Sequence, residues 1–258
     1  MKIISWNVNG IRAAYKKDLP GFISKQKPDI FCLQETKAHP DQVEPELRTF
    51  GQYESAWSSA TKKGYSGTAT FWNSKASPKI VSRGIDIPKY DSEGRFVISD
   101  HEKFKLFNIY FPNGGSGDER HNFKQEFLKD LLSYLEVLLK KGERLIITGD
   151  YNIAHAEMDV HDPKRLSKES GFLPEERAWL DSFFALGFVD CFRHFHKGEK
   201  DRYSWWSYRE MARVNNRGWR IDYFSVSPNL VSEMKNCDIL DEQEGSDHCP
   251  LILELDIT

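Results

Sequence analysis

A long amphipathic helix that leads directly into an apolar strand determines how the middle of this chain can pack. The helix is expected over residues 118–141, because its Phe and Leu residues recur at steps of three and four and form one stripe. Gly142 follows as a C-terminal stop. Residues 145–148 are then continuously apolar up to Gly149, which is typical of a strand buried on both faces. The segment therefore predicts one helical crossover of an α/β fold.

Other short strands are predicted on both sides of this unit from their β-branched and aromatic content. They cover residues 2–6, 30–34, 66–72, 96–99, 106–111, 221–226 and 251–255. A helix is expected over residues 20–27, where Pro28 stops it. Alternating and continuous apolar patterns occur together with only some crossovers. We therefore expect mixed sheets in a single domain over residues 1–258.

The overall charge of the chain is close to neutral. Its 258 residues include 36 Lys and Arg against 39 Asp and Glu, a formal net charge of −3. This total argues against a simple polycationic nucleic-acid binder, although it allows binding through a local patch.

The sequence contains no signal that predicts export or membrane insertion. Its first residues hold no apolar run of secretory length, and charged residues interrupt the apolar stretch at 128–139. Four cysteines lie far apart without the spacing of zinc ligands, so we interpret them as reduced thiols. They are Cys32, Cys191, Cys237 and Cys249. The expectation is a cytoplasmic enzyme.

Carboxylate, amide and imidazole side chains directly follow several of the predicted strands. These residues are Asn7, Asn9, Glu35, Asp150, Asn152, Asp247 and His248. Because ligand crevices form at strand ends in layered α/β folds, the set predicts a common site. The alternative for each residue alone is a cap on a turn or helix, as Asn and Asp often provide after strands.

The chemistry of this set favours metal-assisted phosphodiester hydrolysis. Carboxylate and amide oxygens are hard ligands that suit Mg²⁺, with Mn²⁺ as a substitute, rather than zinc. A carboxylate with a histidine can orient or deprotonate water. The sequence has no GxSxG elbow, GxxxxGKS/T loop or GxGxxG turn, which disfavours a serine hydrolase and a nucleotide-binding enzyme.

Eight sequence strings, in order along residues 4–250, resemble the exonuclease III family of apurinic/apyrimidinic endonucleases. They are ISWNVNGIRA (4–13), LQETK (33–37), YSGTA (65–69), NIYFPNG (108–114), TGDYNIAH (148–155), SGFLPEER (170–177), GWRIDYFSVS (218–227) and GSDHCP (245–250). The resemblance implies a four-layered α/β sandwich, in which two mixed sheets pack face to face with helices outside, as in deoxyribonuclease I-like phosphodiesterases. It also implies a Mg²⁺-dependent base-excision repair enzyme that cuts duplex DNA 5′ to an abasic site, with 3′-phosphodiesterase and 3′→5′ exonuclease activity.

The resemblance also implies a metal site. Glu35 corresponds to the principal ligand, with Asn7 and Asp247 close to the metal. The complete implied set is Asn7, Glu35, Asp150, Asn152, Asp247 and His248.

The same resemblance implies catalytic roles for five residues. Asp150 would orient or deprotonate the attacking water, Asn152 would donate to the phosphate, and Tyr110 would contact it. His248 would face the phosphate while paired with Asp222. Whether Asp150 or His248 is the base, and whether one or two metal ions bind, stays open at this point.

Residues 202–220 form a basic and aromatic segment with five arginines against one glutamate. Arginines contact phosphates, and flat rings can enclose a sugar that is turned out of the duplex. By resemblance, Trp205 and Trp219 would line the pocket for an abasic sugar and Arg209 would enter the duplex. Trp205 and Trp206 are neighbours on an extended segment, so one should face the core and the other outward.

Four further residues are interpreted as phosphate contacts: Lys62, Lys63, Tyr65 and Arg95. The expected partner is duplex DNA with abasic sites or 3′-blocked ends, bound by a monomer. The acidic run at residues 175–176 is interpreted as a helix start after Pro174 rather than as a metal site.

Two alternatives come from other functional classes. The first is another phosphodiesterase of the same wider fold that acts on RNA tails, inositol phosphates or phospholipid head groups. The arginine and aromatic segment favours DNA over these substrates. The second is a DNA-binding protein without activity, which the presence of competent residues at every proposed catalytic position disfavours.

Overall fold

Two six-stranded β-sheets form the centre of the computed structural model, which describes residues 1–209 and 211–257. In chain order the strands are β1 (Lys2–Asn7), β2 (Ile30–Gln34), β3 (Glu54–Ser58), β4 (Thr68–Trp72), β5 (Ile80–Ser82), β6 (Phe96–Asp100), β7 (Lys105–Tyr110), β8 (Leu145–Asp150), β9 (Val189–Asp190), β10 (Asp222–Val226), β11 (Met234–Ile239) and β12 (Leu251–Leu255). The first sheet has the order β11-β12-β1-β2-β4-β3, and the second has the order β5-β6-β7-β8-β10-β9. The pairs β1–β2 and β7–β8 are parallel and the others antiparallel. Both sheets are therefore mixed, as predicted.

Eight α-helices accompany these sheets in the described part of the chain. They are α1 (Ile11–Tyr15), α2 (Leu19–Gln26), α3 (Glu46–Thr49), α4 (Pro88–Asp91), α5 (Asp118–Lys140), α6 (Pro163–Leu166), α7 (Pro174–Ala185) and α8 (Cys191–Phe195). Short 3₁₀ turns occur at Pro40–Gln42, Ser74–Ala76, Glu157–Asp159 and Pro228–Glu233. Within residues 1–209 and 211–257, no helix combines the length and the apolar character that a membrane crossing requires.

The predicted helices and strands are present, with ends that shift by one or two residues. The long helix ends at Lys140, one residue before its predicted end, and Gly142 follows with φ +77°. Its apolar stripe packs on the second sheet, where Phe127, Leu128 and Leu131 are buried. The helix predicted to start at Pro174 is α7. This packing covers the outer face of the second sheet.

The two sheets pack face to face, since β1 and β2 contact β7 and β8. Apolar side chains fill the space between the sheets and beneath the helices. Polar links also cross the interface, among them the bond that Gln34 Nε2 donates to Asn108 Oδ1 at 2.7 Å. Because both groups are fully buried, this bond fixes the relative position of the two sheets close to their strand ends.

The strand register brings the polar ends of the central strands together. Tyr110 at the end of β7 lies opposite Asp150 at the end of β8, and Asp150 lies opposite Asp222 of β10. Gly149 allows the close approach of β7 and β8. Its φ is +135°, and a Cβ there would lie 1.9 Å from the Ile109 carbonyl oxygen.

Candidate functional site

Side chains from both sheets meet at one end of the sandwich. One ligand atom from each of Glu35, Asp150 and His248 lies within 4.8 Å of the others. Glu35 follows β2, Asp150 ends β8, and His248 precedes β12. Asp150 and His248 are buried, whereas Glu35 is partly open to solvent. The structure thus brings together residues that lie far apart in sequence and that were singled out from it.

Asn7 connects the two carboxylates of this cluster. Its Nδ2 donates to Glu35 Oε1 at 3.0 Å and to Asp150 Oδ2 at 2.8 Å, while its Oδ1 accepts a bond from the Asn9 backbone N–H at 2.9 Å. The amide oxygen of Asn7 therefore faces the backbone rather than the cluster. In this geometry Asn7 orients the two carboxylates, and the expectation that it belongs to the metal set stays a prediction.

His248 forms a buried pair with Asp222. His248 Nδ1 lies 2.8 Å from Asp222 Oδ2, which also accepts a hydrogen bond from Ser204 Oγ at 2.6 Å. Burial lowers the pKa of His248, but the charges of Asp222 and Asp150 outweigh it and raise the pKa to about 10. The imidazole is therefore protonated at neutral pH in the polypeptide alone.

Asp150 is surrounded by the charged side chains of the site, Asp222, His248 and Glu35. Burial and the charge of Asp222 raise the pKa of Asp150 to about 7, although the nearby His248 acts in the opposite direction. Glu35 differs, because the Lys37 ammonium lies 2.7 Å from its Oε2. Burial would raise the pKa of Glu35, yet Lys37 and the Asn7 hydrogen bond bring it below its ordinary value.

Asp247 and Asn152 complete the polar floor. Trp205 Nε1 donates to Asp247 Oδ2 at 3.1 Å, and Asn9 Nδ2 donates to Asp247 Oδ1 at 2.9 Å. Burial raises the pKa of Asp247, but the charge of His248 and these two bonds bring it below its ordinary value. Asn152 donates from Nδ2 to Asp150 Oδ2 at 3.2 Å and from its backbone N–H to Asp150 Oδ1 at 2.8 Å.

Four residues of the site have left-handed backbone conformations that non-glycine residues rarely adopt. Their φ angles are +44° at Asn9, +49° at Glu35, +50° at Lys37 and +52° at Asn152. Such conformations cost roughly 1–3 kcal/mol each and persist where the surrounding structure enforces them. They turn the chain sharply after β1, β2 and β8, which directs the side chains into the cluster.

Tyr110 is held by a buried arginine. The Arg95 guanidinium lies 5.1 Å from the centre of the Tyr110 ring, and Arg95 Nη1 donates to the Tyr110 carbonyl oxygen at 2.8 Å. Arg95 is 1% exposed, so the expectation that it contacts a phosphate is wrong. The same arginine also holds Tyr65. The Tyr65 hydroxyl accepts hydrogen bonds from Arg95 Nη2 at 3.1 Å and from Arg120 Nη2 at 3.0 Å.

A cleft of about 1090 Å³ opens over the cluster. Trp205, Trp219 and Arg209 line it, and the two indole rings meet edge to face with centroids 6.2 Å apart. Trp206 is buried while Trp205 faces the cleft, so the expectation that the two tryptophans face opposite ways is confirmed. Lys63, which is exposed in the loop before β4, does not line this cleft.

The basic segment at 202–220 offers less positive charge to the cleft than its composition indicates. Arg220 is buried and paired with Asp159 at 2.7 Å and Asp190 at 2.8 Å. Arg202 contacts three carboxylates on the protein surface. By contrast, Arg209 and Arg217 line the cleft.

Sequence reasoning missed Lys37 and the anchoring role of Arg95. Lys37 lies two residues after Glu35, but its approach to the carboxylate depends on the left-handed turns at both residues. No hydrophobic period signals such turns. The burial of Arg95 follows from its position between Glu93 and Tyr110 in the fold, which the local sequence does not reveal.

The donor set fits a hard divalent cation. Glu35 and Asp150 converge with carboxylate oxygens, and burial together with the charges of Asp222 and Glu35 raises the pKa of Asp150. A cation between them would relieve this repulsion. The described residues that make up the cluster include no thiolate, which favours Mg²⁺ or Mn²⁺ chemistry over that of a softer metal.

Comparisons with known proteins agree with this site. Residues 4–248 match the model of the Endonuclease/Exonuclease/phosphatase family. An exodeoxyribonuclease from Bacillus subtilis is 42% identical over 258 residues, covering 100% of both chains. An apurinic/apyrimidinic endonuclease structure from Archaeoglobus fulgidus superposes with a TM-score of 0.88 at 29% identity, and a 3′ phosphatase from Neisseria bound to product DNA with 0.89 at 26% identity, each covering 100% of both chains. The chain therefore belongs to the endonuclease/exonuclease/phosphatase family.

Proposed function

We propose that this protein is a Mg²⁺-dependent DNA repair nuclease that hydrolyses the phosphodiester 5′ to abasic sites in duplex DNA. It also removes 3′-terminal blocking groups and nucleotides. The observation that carries the proposal is the convergence of Glu35, Asp150 and His248 beneath a cleft lined by Trp205 and Trp219. The names of the B. subtilis, Archaeoglobus and Neisseria relatives support the same reaction class.

Glu35 and Asp150 are the residues that would hold the cation, with Asp247 close by. When bound, the cation supplies positive charge that offsets the carboxylates and polarises the phosphate. Lys37 already neutralises one side of Glu35, so the chain itself compensates part of the negative charge. Mn²⁺ can replace Mg²⁺ at this site because both accept oxygen ligands.

Asp150 is the group that takes the proton of the attacking water. Its buried carboxylate lines the cleft and is oriented by Asn7 and Asn152, so it can accept a proton from a water at the phosphate. His248 is unsuited to that task because its ring is already protonated. It instead acts as a buried cation that stabilises negative charge on the phosphate, and Asp222 holds it in place.

Two neutral side chains complete the phosphate site. Asn152 lines the cleft, and its Nδ2 donates to Asp150 Oδ2 and to the Phe111 carbonyl oxygen; in our proposal the amide turns to the phosphate when DNA binds. Tyr110 lines the cleft, and burial raises its pKa well above 10, so it keeps its hydroxyl proton for donation. Both groups stabilise charge that develops in the transition state.

The aromatic cleft accounts for lesion recognition. The Trp205 and Trp219 rings meet at 80° and enclose an apolar corner beside the phosphate site. A baseless sugar fits such a corner, whereas a nucleotide with its base does not. Arg209, which is exposed at the rim of the cleft, would enter the duplex beside the lesion, and Lys63 would contact the backbone further away. Tyr65 supports the cleft through Arg95 and Arg120 rather than through direct contact.

All of these residues come from one chain, so the proposal requires only a monomer. Cys32, Cys191, Cys237 and Cys249 are free and buried, which fits a reducing cytoplasm.

A panel of substrates tests the proposal. The substrates are one duplex with an internal abasic site, the undamaged duplex, a duplex with a 3′-phosphate, poly(A) and an inositol polyphosphate, each with and without Mg²⁺. We expect Mg²⁺-dependent cleavage of the abasic and 3′-phosphate duplexes, with 3′-hydroxyl products. Preferred hydrolysis of poly(A) or the inositol phosphate would contradict the proposal, as would retention of abasic cleavage after chelation.

A further inference from the structure

A buried ion pair lies behind one wall of the cleft. Lys124 on α5 and Glu176 on α7 are both fully buried, and Lys124 Nζ lies 2.5 Å from Glu176 Oε1. Burial lowers the pKa of Lys124, and the Glu176 carboxylate opposes that shift. Removing two charges from water is costly, and apolar replacements of buried pairs are often as stable. Stability alone therefore gives a weak reason for this pair.

The remaining bonds of the pair end on the two loops that form the cleft. Lys124 Nζ donates to the Asn152 carbonyl oxygen at 2.8 Å. Glu176 Oε2 accepts bonds from the Gly171 N–H at 2.6 Å and from the Leu173 N–H at 3.1 Å. The pair thus joins the loop that carries Asn152 to the loop at 170–173.

Gly171 is the point where the second loop meets the aromatic corner. Its φ is +98°, and a Cβ there would lie 3.2 Å from the Trp219 ring and 3.2 Å from the Asn152 carbonyl oxygen. The Ala154 N–H donates to the Gly171 carbonyl oxygen at 2.7 Å, which ties the loops together directly. Since Gly171 lines the cleft, a small shift of its backbone changes the space beside Trp219.

We infer that Lys124 and Glu176 form a positioning pair that sets the width of the cleft where the abasic sugar binds. This inference rests on the proposed function. Neither side chain reaches the substrate, because both are fully buried and act through the backbone of Gly171 and Asn152. The pair is thereby a determinant of substrate preference and not only of folding.

Two substrates separate this role from a purely structural one. Hydrolysis that leaves a 3′-hydroxyl on an abasic duplex needs a sugar on the far side of the phosphorus, and that sugar occupies the aromatic corner. A 3′-terminal phosphate carries no such sugar, so its hydrolysis uses the phosphate site and leaves the corner empty. A shift of the cleft wall at Gly171 should therefore slow abasic cleavage and leave hydrolysis of the 3′-phosphate unchanged.

The test compares Glu176→Gln with the unaltered protein on both substrates under single-turnover conditions. Gln keeps an oxygen for the Gly171 and Leu173 N–H groups but turns an NH₂ toward Lys124, which displaces the loop. We expect kcat/KM for the abasic duplex to fall roughly tenfold to a hundredfold relative to that for the 3′-phosphate duplex, as misplacements of about 1 Å commonly do. Equal losses on both substrates, or no loss, would overturn the inference.

The control is an exposed pair on the same helix. Lys140 Nζ lies 2.7 Å from Glu136 Oε1 on the surface of α5. Glu136→Gln should leave the ratio of the two activities unchanged.

Two further measurements remove the dependence on a single variant. The double variant Lys124→Met, Glu176→Gln leaves no unpaired charge in the interior and should fold even if Glu176→Gln does not. It should show the same loss of abasic cleavage relative to 3′-phosphate hydrolysis.

Amide hydrogen exchange of the unaltered protein should show strong protection of Gly171 and Leu173. Exchange at the rate of an exposed loop would overturn the inference even if abasic cleavage is observed. Absence of abasic cleavage in the unaltered protein would instead contradict the proposed function and leave the exchange result valid.

Discussion

His248 Nδ1 lies 2.8 Å from Asp222 Oδ2, and both side chains are almost completely buried. Burial on its own would remove the proton from the ring, yet the combined charge of Asp222 and Asp150 raises the pKa of His248 to about 10. The pair therefore keeps the His248 ring protonated in the interior, directly beside the carboxylates of the site. A ring that is already protonated cannot take the water proton, which leaves Asp150 as the base.

Asp222→Asn should convert His248 into a neutral ring at neutral pH. Without the Asp222 charge, burial dominates and the pKa of His248 falls from about 10 toward or below its ordinary value of about 6.5. Cleavage should fall by about 100-fold at pH 7.5 and recover in part as the pH is lowered. NMR titration of the His248 ring together with a pH–rate profile checks this expectation. Asp256→Asn, which alters an exposed ion pair, serves as control; an unchanged His248 titration in Asp222→Asn would contradict the assignment.

Arg95→Met should lower activity through Tyr110. The substitution removes the guanidinium beside the Tyr110 ring and the bond to its carbonyl oxygen. We expect kcat on abasic DNA to fall about tenfold with a smaller change in KM, since the group acts on positioning. Arg95→Lys should restore activity only in part, because an ammonium cannot replace the planar fork of bonds to Tyr110, Tyr65 and Glu93.

The matched control for Arg95 is Lys89→Met, which removes an exposed pair with Glu126. It should leave kcat unchanged. Wild-type kinetics in a folded Arg95→Met protein would show that Tyr110 needs no such anchor.

Gly171→Ala should narrow the cleft. Ala at φ +98° is strained, and its Cβ would press on the Trp219 ring. We expect a loss of stability of about 1–2 kcal/mol from the backbone alone, with a larger loss of abasic cleavage than of 3′-phosphate hydrolysis. Gly198→Ala is the matched control, because it has φ +79° with no neighbouring atoms within 4 Å. If both variants lose abasic cleavage equally, the contact with Trp219 is irrelevant.

His101 should make stability depend on pH in the acidic range. Burial lowers the pKa of His101 to about 4, although the Ala76 carbonyl and Asp100 oppose the shift. The folded pKa lies below the unfolded value of about 6.5, so the contribution is complete above pH 6.5. It is lost as the pH falls from about 6.5 through 4, by at most about 3 kcal/mol.

Denaturant unfolding between pH 4 and 7 measures this dependence. His101→Gln should flatten the fall in unfolding free energy over that range, whereas the exposed His194→Gln should not. Identical pH profiles for His101→Gln and the unaltered protein would refute the prediction.

The central strands were predictable from sequence, and the edge strands were not. Strands β3, β5, β9 and β11, which no pattern predicted, occupy the four edges of the two sheets. Edge strands are short or half-exposed and lack the continuous apolar run of a central strand such as β8. Central strands show a continuous apolar run in the sequence because both of their faces are buried.

The composition of the site was predictable, but its electrostatics was not. The positions of Glu35 and Asp150 at strand ends were visible in the sequence, whereas His248 lies just before β12 rather than after a strand. The protonation of His248 and the contact between Lys37 and Glu35 depend on distances across two sheets and on left-handed turns. Likewise, the sequence offered Arg95 and Arg220 as basic residues, and only the fold shows that both are buried.

The most direct test of the account is the single-turnover cleavage of an abasic duplex by the unaltered protein and by Asp150→Asn. Both are freed of metal with a chelator and then supplied with Mg²⁺. The unaltered protein should cleave only after Mg²⁺ is restored. Asp150→Asn should bind the duplex with similar affinity and cleave it about 10²–10⁴-fold more slowly. Cleavage by Asp150→Asn at the rate of the unaltered protein, or cleavage in the presence of the chelator, would contradict the central claim.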